Sequence, residues 1–156
     1  MTITFYLSAI VAIVATVMVI TRRNAVHALL YLIVSLLAVG LLFFTLGAPF
    51  AAALEVITYA GAIMVLFLFV IMLLNPQPGD GERPFLHQWR GPGLLTAVLL
   101  AELIYLLVRG GQGMGETVVS PQQVGLTLFV PYLLGVELAS MLLLAGLVGA
   151  YHLGKR

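Results

Sequence analysis

Cysteine is absent from this sequence, and charged residues are scarce. Without cysteine the chain forms no disulfide, ligates no iron–sulfur cluster through thiolates and performs no thiol chemistry. Charged residues make up 8% of the chain, whereas an average soluble domain carries about 25%. The net charge of +1 gives no argument for nucleic-acid binding. The lack of cysteine excludes thiol-based redox chemistry, and the scarcity of charge argues against a sizeable soluble domain.

Apolar residues dominate what is present, since 62% of the chain is hydrophobic. The apolar runs predict an all-α integral membrane protein with five transmembrane helices in a single membrane domain, residues 1–156. The predicted spans are about 3–20, 26–46, 50–74, 92–108 and 126–153, and the larger loops are 75–91 and 110–125. The first segment, MTITFY, lacks the basic start and the cleavage site of a secretory signal, so we expect the first span to be retained.

Basic residues lie mostly on one side of these spans. One side receives six of them and the other receives Arg109 alone. The six are Arg22, Arg23, Arg83, Arg90, Lys155 and Arg156. The positive-inside rule therefore predicts a cytoplasmic C-terminus and an N-terminus on the opposite, periplasmic side.

The third predicted span, 50–74, is the segment around which the chain is organised. At about 1.5 Å per residue it is long enough to cross a hydrocarbon core of roughly 30 Å. From Met64 onward it is large and apolar, whereas its first half contains small and polar residues and one formal charge, Glu55. Small residues allow another helix to approach closely, and a carboxylate within the membrane must face protein or water. The pattern predicts a helix buried among partners.

Three carboxylic acids fall inside predicted spans: Glu55, Glu102 and Glu137. A charged carboxylate at the centre of a lipid-facing helix costs about 2.5–3.5 kcal/mol. No Lys or Arg occurs inside spans two, three or five, so we expect a protonated carboxyl there, or a carboxylate that faces water or a partner subunit. The residues Glu55, Thr58, Tyr59 and Ala62 share one α-helical face. Because this face pairs an acid with a phenol, it predicts a group that binds and passes a proton.

Each acid also has a plainer interpretation, as a neutral packing element that is hydrogen-bonded between helices. Glu137 with Ser140, and Glu102 with Tyr105, repeat the pairing of an acid with a hydroxyl three residues on. The fourth span is short, so Glu102 could instead lie beside a water-filled vestibule.

Histidines and bulky apolar side chains offer two further sites that the sequence does not favour. A b-type haem needs axial histidines within the membrane, but His27, His87 and His152 fall at or beyond the cytoplasmic ends of predicted spans. Their spacing is not that of a zinc site either. Bulky residues of the third span could line a quinone pocket but are more typical of helix packing or lipid contact. These are Met64, Phe67, Phe69 and Met72.

Three segments together resemble one family. The segment ALEVITYAGAIMVLFLFVIMLLN, residues 53–75, closely resembles the third helix of the J-subunit family of bacterial NADH–quinone oxidoreductase, respiratory complex I. This family includes the mitochondrial chain-6 subunit. RRNAVHALLYLI, residues 22–33, resembles its first cytoplasmic turn and second helix, and VELASMLLLAGLVGA, residues 136–150, its last helix. The resemblance covers spans one to three and five; residues 75–91 and the fourth span carry no such motif.

The resemblance implies a core membrane-arm subunit of a bacterial inner membrane complex, without a redox centre of its own. The parent complex would use NADH, FMN, iron–sulfur clusters and quinone, and the partners would be the quinone-site subunit, small neighbouring subunits, antiporter-like subunits and the lipid bilayer. The resemblance also implies a π-bulge around Thr58–Ala62, with Tyr59, Gly61 and Val65 as the switching segment of a proton translocase. Glu55, Tyr59 and Glu137 would then lie on the proton pathway.

Two alternatives remain open at this point. Multisubunit cation/proton antiporters and membrane-bound hydrogenases contain segments similar to this family, so the chain could belong to one of those assemblies. It could also be a purely structural subunit whose acids only satisfy neighbouring helices. In that case substitutions would reduce assembly and activity together and leave the number of protons per electron unchanged.

Overall fold

The computed structural model describes residues 2–22, 24–74, 85–108 and 118–155. These residues form helices and short turns, with no strand among them. The helices are α1 (Thr2–Thr21), α2 (Ala25–Thr45), α3 (Pro49–Leu74), α4 (Phe85–Val108), α5 (Pro121–Phe129) and α6 (Leu133–Gly154). Five of them, α1 to α4 and α6, are long and apolar enough to span a membrane. The predicted all-α membrane fold with five spans is therefore confirmed.

Helices α1 and α2 form a hairpin whose interface is built from small residues. Asn24 caps α2, with its side-chain oxygen accepting a hydrogen bond from the Val26 amide at 3.0 Å. Ala15 and Ala38 are fully buried, at 0% exposed each, so the two backbones approach closely. The small residues Ser8, Ala12 and Ala15 recur at helical spacing along α1, and all three are buried.

Helix α2 is the centre of the unit Met1–Val118, because α1, α3 and α4 all pack against it. The buried core joins residues of α1, α2 and α4. Its members are Val11, Ala12, Ala15, Val34, Ala38, Leu41, Leu99 and Leu106. Such a core leaves most of α3 on the surface of this unit, with Ala52 and Met64 as its buried residues.

The turn between α2 and α3 sets where the third span begins. Gly47 has a φ of 81°, in the left-handed region that a residue with a Cβ rarely adopts. Its amide donates to the Phe44 carbonyl at 3.2 Å, which closes the end of α2. Pro49 then stands at the first position of α3, where its missing N–H group leaves no hydrogen bond unmade.

Helix α4 begins earlier than the composition indicated. Its first residue is Phe85, whereas residues 75–91 were predicted to be a loop; residues 75–84 lie outside the described part of the chain. Pro92 stands inside the helix, where it removes the bond to the carbonyl four residues earlier. One missing bond so close to the start does not end the helix, since the remaining bonds and the Thr96 hydroxyl, which donates to the Pro92 carbonyl at 2.8 Å, continue through it.

The unit Val119–Arg156 contains α5 and α6. Ser120 and Gln123 form a reciprocal capping box at the start of α5, with bonds of 3.3 and 3.0 Å. Three residues, Val130 to Tyr132, separate the two helices. Pro131 lies in this break, so it divides the predicted span 126–153 and leaves α6 as the membrane-length helix.

The contact between α2 and α4 provides a test of the packing. A Cβ placed on Gly91 of α4 would overlap the Tyr31 hydroxyl and lie 3.1 Å from the ring carbon Cζ. Tyr31 is 4% exposed, and the Arg22 guanidinium carbon lies 5.4 Å from its ring centroid, so the ring has little room to move. We expect Gly91→Val to destabilise this contact by about 1–3 kcal/mol, as overpacking does, and to reduce the assembled complex on native gels.

The matched control is Gly93→Val on the same helix, because a Cβ at Gly93 meets nothing within 4 Å. Equal assembly of the Gly91→Val and Gly93→Val variants would contradict the packing assigned to Tyr31.

Candidate functional site

A nine-residue π-helix interrupts α3 between Glu55 and Ile63. It is flanked by α-helical turns from Pro49 to Leu54 and from Met64 to Leu74. At its start the Glu55 amide still bonds to the Ala51 carbonyl, four residues back. At its end the Met64 amide bonds to the Tyr59 carbonyl, five residues back, and also to that of Gly61. The hydrogen-bond register of the helix therefore changes by one residue inside the membrane span.

This geometry bears out the π-bulge expected at Thr58–Ala62. The π-helix also extends beyond it, from Thr58 back to Glu55 and from Ala62 on to Ile63. π-Helices are rare in proteins, are mostly single-turn bulges and are frequent at functional sites. The segment Glu55–Ile63 is longer than a single turn. It is the strongest candidate for a functional element in the unit Met1–Val118.

Gly61 is adapted to the wider register. A Cβ on Gly61 would lie 3.2 Å from the Val56 carbonyl oxygen, which is five residues back. Few real Cβ atoms approach a neighbour so closely, and a backbone oxygen inside a helix cannot swing away as a side-chain tip does. Glycine removes this contact, so it favours the π-register at this position over any residue that carries a side chain.

Gly40 of α2 brings the start of the π-segment close to the centre of the unit. A Cβ on Gly40 would lie 3.3 Å from Val56 Cγ2, 3.7 Å from the Ala52 carbonyl oxygen and 3.8 Å from Glu55 Cγ. The aliphatic stem of Glu55 therefore rests against α2, and its side chain is half-buried. Sequence reasoning missed Gly40; a glycine inside a long apolar span is the signal that could have found it.

The wider turn changes which residues of α3 are neighbours. Glu55 and Tyr59 remain close along the helix surface, because a separation of four residues is near one turn in both registers. Thr58, three residues from Glu55, is rotated away from it by the wider turn. Of the four residues predicted to share one helix face, Glu55 and Tyr59 are therefore the two that still do. The Tyr59 side chain is 48% exposed in this unit.

The α-helical turns after the π-segment hold Met64 and Val65. Val65, predicted to belong to the switching segment, lies two residues past the π-segment and is 49% exposed. Met64 is the buried residue at this junction, at 7% exposed. The sequence analysis grouped Met64 with side chains typical of helix packing or lipid contact. In the structure it is the first residue after the π-segment, and it is buried where Val65 is exposed.

An open apolar groove of about 470 Å³ runs beside the π-segment. Its walls come from α2, α3 and α4. They include Leu37, Gly40, Phe44, Ala52, Val56, Ile57, Leu99 and Leu103. The groove gives α3 room to change its side-chain packing against α2. Its lining does not include Phe67, Phe69 or Met72.

Glu137 belongs to α6 in the unit Val119–Arg156, where its side chain is exposed. The Ser140 hydroxyl, predicted as its neighbour, donates instead to the Val136 carbonyl of its own helix at 2.9 Å. The Glu137 carboxyl is therefore free to contact water or another subunit. Its place on the proton pathway remains a prediction.

The described histidines lie at helix ends. His27 is in the first turn of α2 and His152 in the last turn of α6; the side chain of His87 falls outside the described ones. Within the described residues, no group of three metal-ligating side chains comes together. The π-segment, with its acid, phenol and glycine, remains the candidate site.

Comparison with known proteins gives matches over almost the whole chain. Residues 15–153 match the family described as NADH-ubiquinone/plastoquinone oxidoreductase chain 6. A Pseudomonas aeruginosa protein named NADH-quinone oxidoreductase subunit J is 59% identical over 97% of this chain and 95% of its own length. The protein of the same name from Escherichia coli K12 is 54% identical over 97% of this chain and 85% of its own length. That from Buchnera aphidicola subsp. Schizaphis graminum is 45% identical, with coverage of 97% and 96%.

Proposed function

Because this chain belongs to the J-subunit family of NADH–quinone oxidoreductases, we propose that it couples quinone reduction to proton translocation through the π-segment of α3. In this proposal the chain lies in the membrane arm, between the quinone-site subunit and the antiporter-like subunits. NADH, FMN, iron–sulfur clusters and quinone are bound by other subunits. The chain contains no cysteine, so it supplies no thiolate ligand to a cluster, and its contribution to this translocase is conformational and protonic.

The π-segment is the observation that carries this proposal. Converting π-helical turns to α-helical turns changes the register of the helix and rotates everything after it, by about 100° for each residue shifted. The part that rotates is Met64–Leu74. Gly61 favours the π-register without forbidding the α-register, and the switch proposed here requires that the two states differ little in free energy. A segment with two such states can open or close a path when a neighbouring subunit changes shape.

The proton-carrying groups in this proposal are Glu55 and Tyr59 on α3 and, as a second acid, Glu137 on α6. Glu55 lies at the N-terminal end of the π-segment and Tyr59 in its middle. The two groups stay near one another in both registers, because a separation of four residues is near one turn in each. A change of register rotates Met64–Leu74 past this pair, so water that joins the pair to the rest of the path in one state would be separated from it in the other. Coupling then follows from the rotation of that segment and does not require a charge to enter the lipid.

The orientation proposed for the chain follows from its basic residues. Arg22, Arg90 and Lys155 are all exposed at ends of membrane-length helices, and the positive-inside rule places those ends in the cytoplasm. The N-terminus is then periplasmic and the C-terminus cytoplasmic in a bacterial inner membrane. The count of basic residues on each side of the membrane also depends on four arginines that lie outside the described residues: Arg23, Arg83, Arg109 and Arg156.

Rotation of α3 can be tested by thiol labelling during turnover. Met64 is 7% exposed and begins the segment that would rotate, and the chain contains no native cysteine. In membrane vesicles with the assembled complex, we expect a Met64→Cys thiol to react faster with N-ethylmaleimide during NADH oxidation than with a quinone-site inhibitor present. The reason is that rotation moves residue 64 away from α2 and towards the proposed water path.

Ala38→Cys is the matched control, because Ala38 is fully buried on α2, a helix that does not rotate in this proposal. Its labelling should be equally slow with and without turnover. The switch is wrong if labelling of Met64→Cys is the same in both conditions while the complex oxidises NADH normally.

A further inference from the structure

A buried acid on α4 takes no part in the π-segment. Glu102 is 5% exposed, and it lies between Leu99 and Leu106 on the face that α4 turns towards the buried core. Both of its carboxyl oxygens are buried, and neither makes a hydrogen bond within the described residues. A carboxyl so enclosed must have another partner or carry a large free-energy cost.

Ser8 of α1 faces this carboxyl. Its side chain is fully buried, at 0% exposed, and it interacts with the Glu102 carboxyl across the contact between α1 and α4. No hydrogen bond of good geometry joins the two groups, and the hydroxyl finds no other partner within the described residues. Ser8 and Glu102 each interrupt a helix face that is otherwise apolar in the core. Two orphaned polar groups on facing helices point to a shared ligand that can both donate and accept hydrogen bonds.

We propose that Ser8 and Glu102 form a hydrated proton-binding site inside the bundle of α1, α2 and α4. The ligand is water and the proton that it brings. Glu102 takes the proton from a hydronium in the water of the site, so that a carboxyl O–H bond forms as a hydronium O–H bond breaks. Release is the reverse exchange, which leaves a carboxylate and a hydronium, and no electron moves. Ser8 holds the bridging water, which satisfies both orphaned groups at once.

The hairpin continues this site as a line of polar groups towards the basic end of α1. Thr16 and Ser35 share a hydrogen bond of 2.8 Å, and both hydroxyls also reach the Ala12 carbonyl oxygen, at 2.8 and 3.4 Å. Ala12 follows Ser8 by one turn, a rise of about 6 Å. The line therefore leads from the Ser8 site through a carbonyl and two hydroxyls that lie between α1 and α2.

The line ends at Tyr31 and Arg22. Tyr31 is buried one turn from Ser35 on α2, and its hydroxyl accepts a hydrogen bond from Arg22 at 3.4 Å. Arg22 is exposed at the end of α1. Glu102, Tyr31 and Arg22 are charged or titratable side chains on this line. The proposed site thus has a polar route to the end of the hairpin that does not pass through α3.

Infrared difference spectroscopy on the assembled complex tests the site. We expect the wild type to show a carbonyl-stretch band of a protonated carboxyl that is lost in Glu102→Gln. The band should shift when H₂O is replaced by D₂O, since the proton exchanges with water. Ser8→Ala should displace the band, because the carboxyl loses the water that the hydroxyl holds, and Thr16→Val should slow its exchange.

Ser140→Ala is the matched serine control, because the Ser140 hydroxyl bonds only within its own helix, at 2.9 Å to the Val136 carbonyl; it should leave the band unchanged. Identical carboxyl bands in wild type and Glu102→Gln would overturn the proposal, as would a Glu102 band that never exchanges with D₂O. If Glu102→Gln does not assemble, Ser8→Ala decides: a displaced band supports the site, and an unchanged spectrum overturns it. The band reports Glu102 alone, so this result is independent of thiol labelling on α3.

Discussion

Gly61→Val is expected to lower quinone reduction and proton pumping together, by on the order of tenfold, in a complex that still assembles. The Cβ of residue 61 would lie 3.2 Å from the Val56 carbonyl oxygen in the π-register, and the two methyl groups of valine add further bulk. In an α-helix the same valine fits with a cost of under about 1 kcal/mol. The substitution therefore biases α3 towards the α-register without removing any titratable group.

The size of the effect follows from the small difference between the two states. A contact of this kind costs about 1–3 kcal/mol when the backbone cannot relax, and about 1.4 kcal/mol changes a rate or a population tenfold. A complex held in one register cannot complete a cycle that needs both registers. Electron transfer to quinone should then slow along with pumping, because the two are coupled.

The measurement is NADH:quinone oxidoreductase activity and the number of protons per electron in membrane vesicles, with assembly followed on native gels. Gly61→Ala should give a smaller loss than Gly61→Val, since it introduces the Cβ without the branches. Gly93→Val is the control, because a Cβ at Gly93 meets nothing within 4 Å. Assembled Gly61→Val enzyme that pumps normally would mean that α3 is a packing helix.

Much of the fold could be predicted from the sequence because membrane insertion imposes long apolar runs. The five spans follow from length and hydropathy alone. The ends of the helices were harder to predict, because a proline removes only one hydrogen bond and does not by itself end a helix. At Pro92 the helix continues through the proline, whereas at Pro131 it stops and restarts.

The register change in α3 could not be predicted from periodicity. An α-helix and a π-helix of the same residues have the same composition, and the wider turn leaves no repeat of its own in so short a segment. We expected a π-bulge there from the family resemblance, and in the structure the π-helix covers Glu55–Ile63. Gly61 is the one local sign, because a glycine within a membrane helix indicates either a close neighbour or an unusual backbone.

The surroundings of the acids could not be predicted either, because the sequence gives an acid but not the helix that faces it. Glu55 proved to rest against Gly40 of α2, and Glu102 proved to be enclosed opposite Ser8 of α1. The first contact joins two consecutive helices, and the second joins two helices that are distant in the chain. An acid at a given depth of a span can therefore be recognised from sequence, whereas its partner requires the packing of the bundle.

Glu55→Gln is expected to slow proton transfer through this position by about 100-fold or more, the usual contribution of a positioned acid–base group. Glutamine keeps the shape of the side chain and the contact of its stem with Gly40, where Cγ lies 3.8 Å from a Cβ placed on that glycine. It cannot take up or release a proton. Assembly should therefore be unchanged while the number of protons per electron falls.

Two companion variants separate the proton from the packing. Glu55→Asp retains a titratable carboxyl one methylene shorter and should restore part of the stoichiometry. Tyr59→Phe removes the phenol oxygen but keeps the ring, and should lower the stoichiometry less than Glu55→Gln because water can replace one hydroxyl in a chain. All three are measured as protons per electron in vesicles that contain equal amounts of assembled complex.

The outcome distinguishes a relay from a packing acid, because the two roles affect different quantities. A packing acid contributes to assembly and to turnover of the whole enzyme, so its loss lowers both and leaves protons per electron unchanged. A relay acid contributes to the ratio itself, and restoring a carboxyl with aspartate recovers the ratio even where the packing is altered. Full stoichiometry in both Glu55→Gln and Tyr59→Phe would show that the proton passes elsewhere, and the hydrated site at Ser8 and Glu102 would then be the next position to measure.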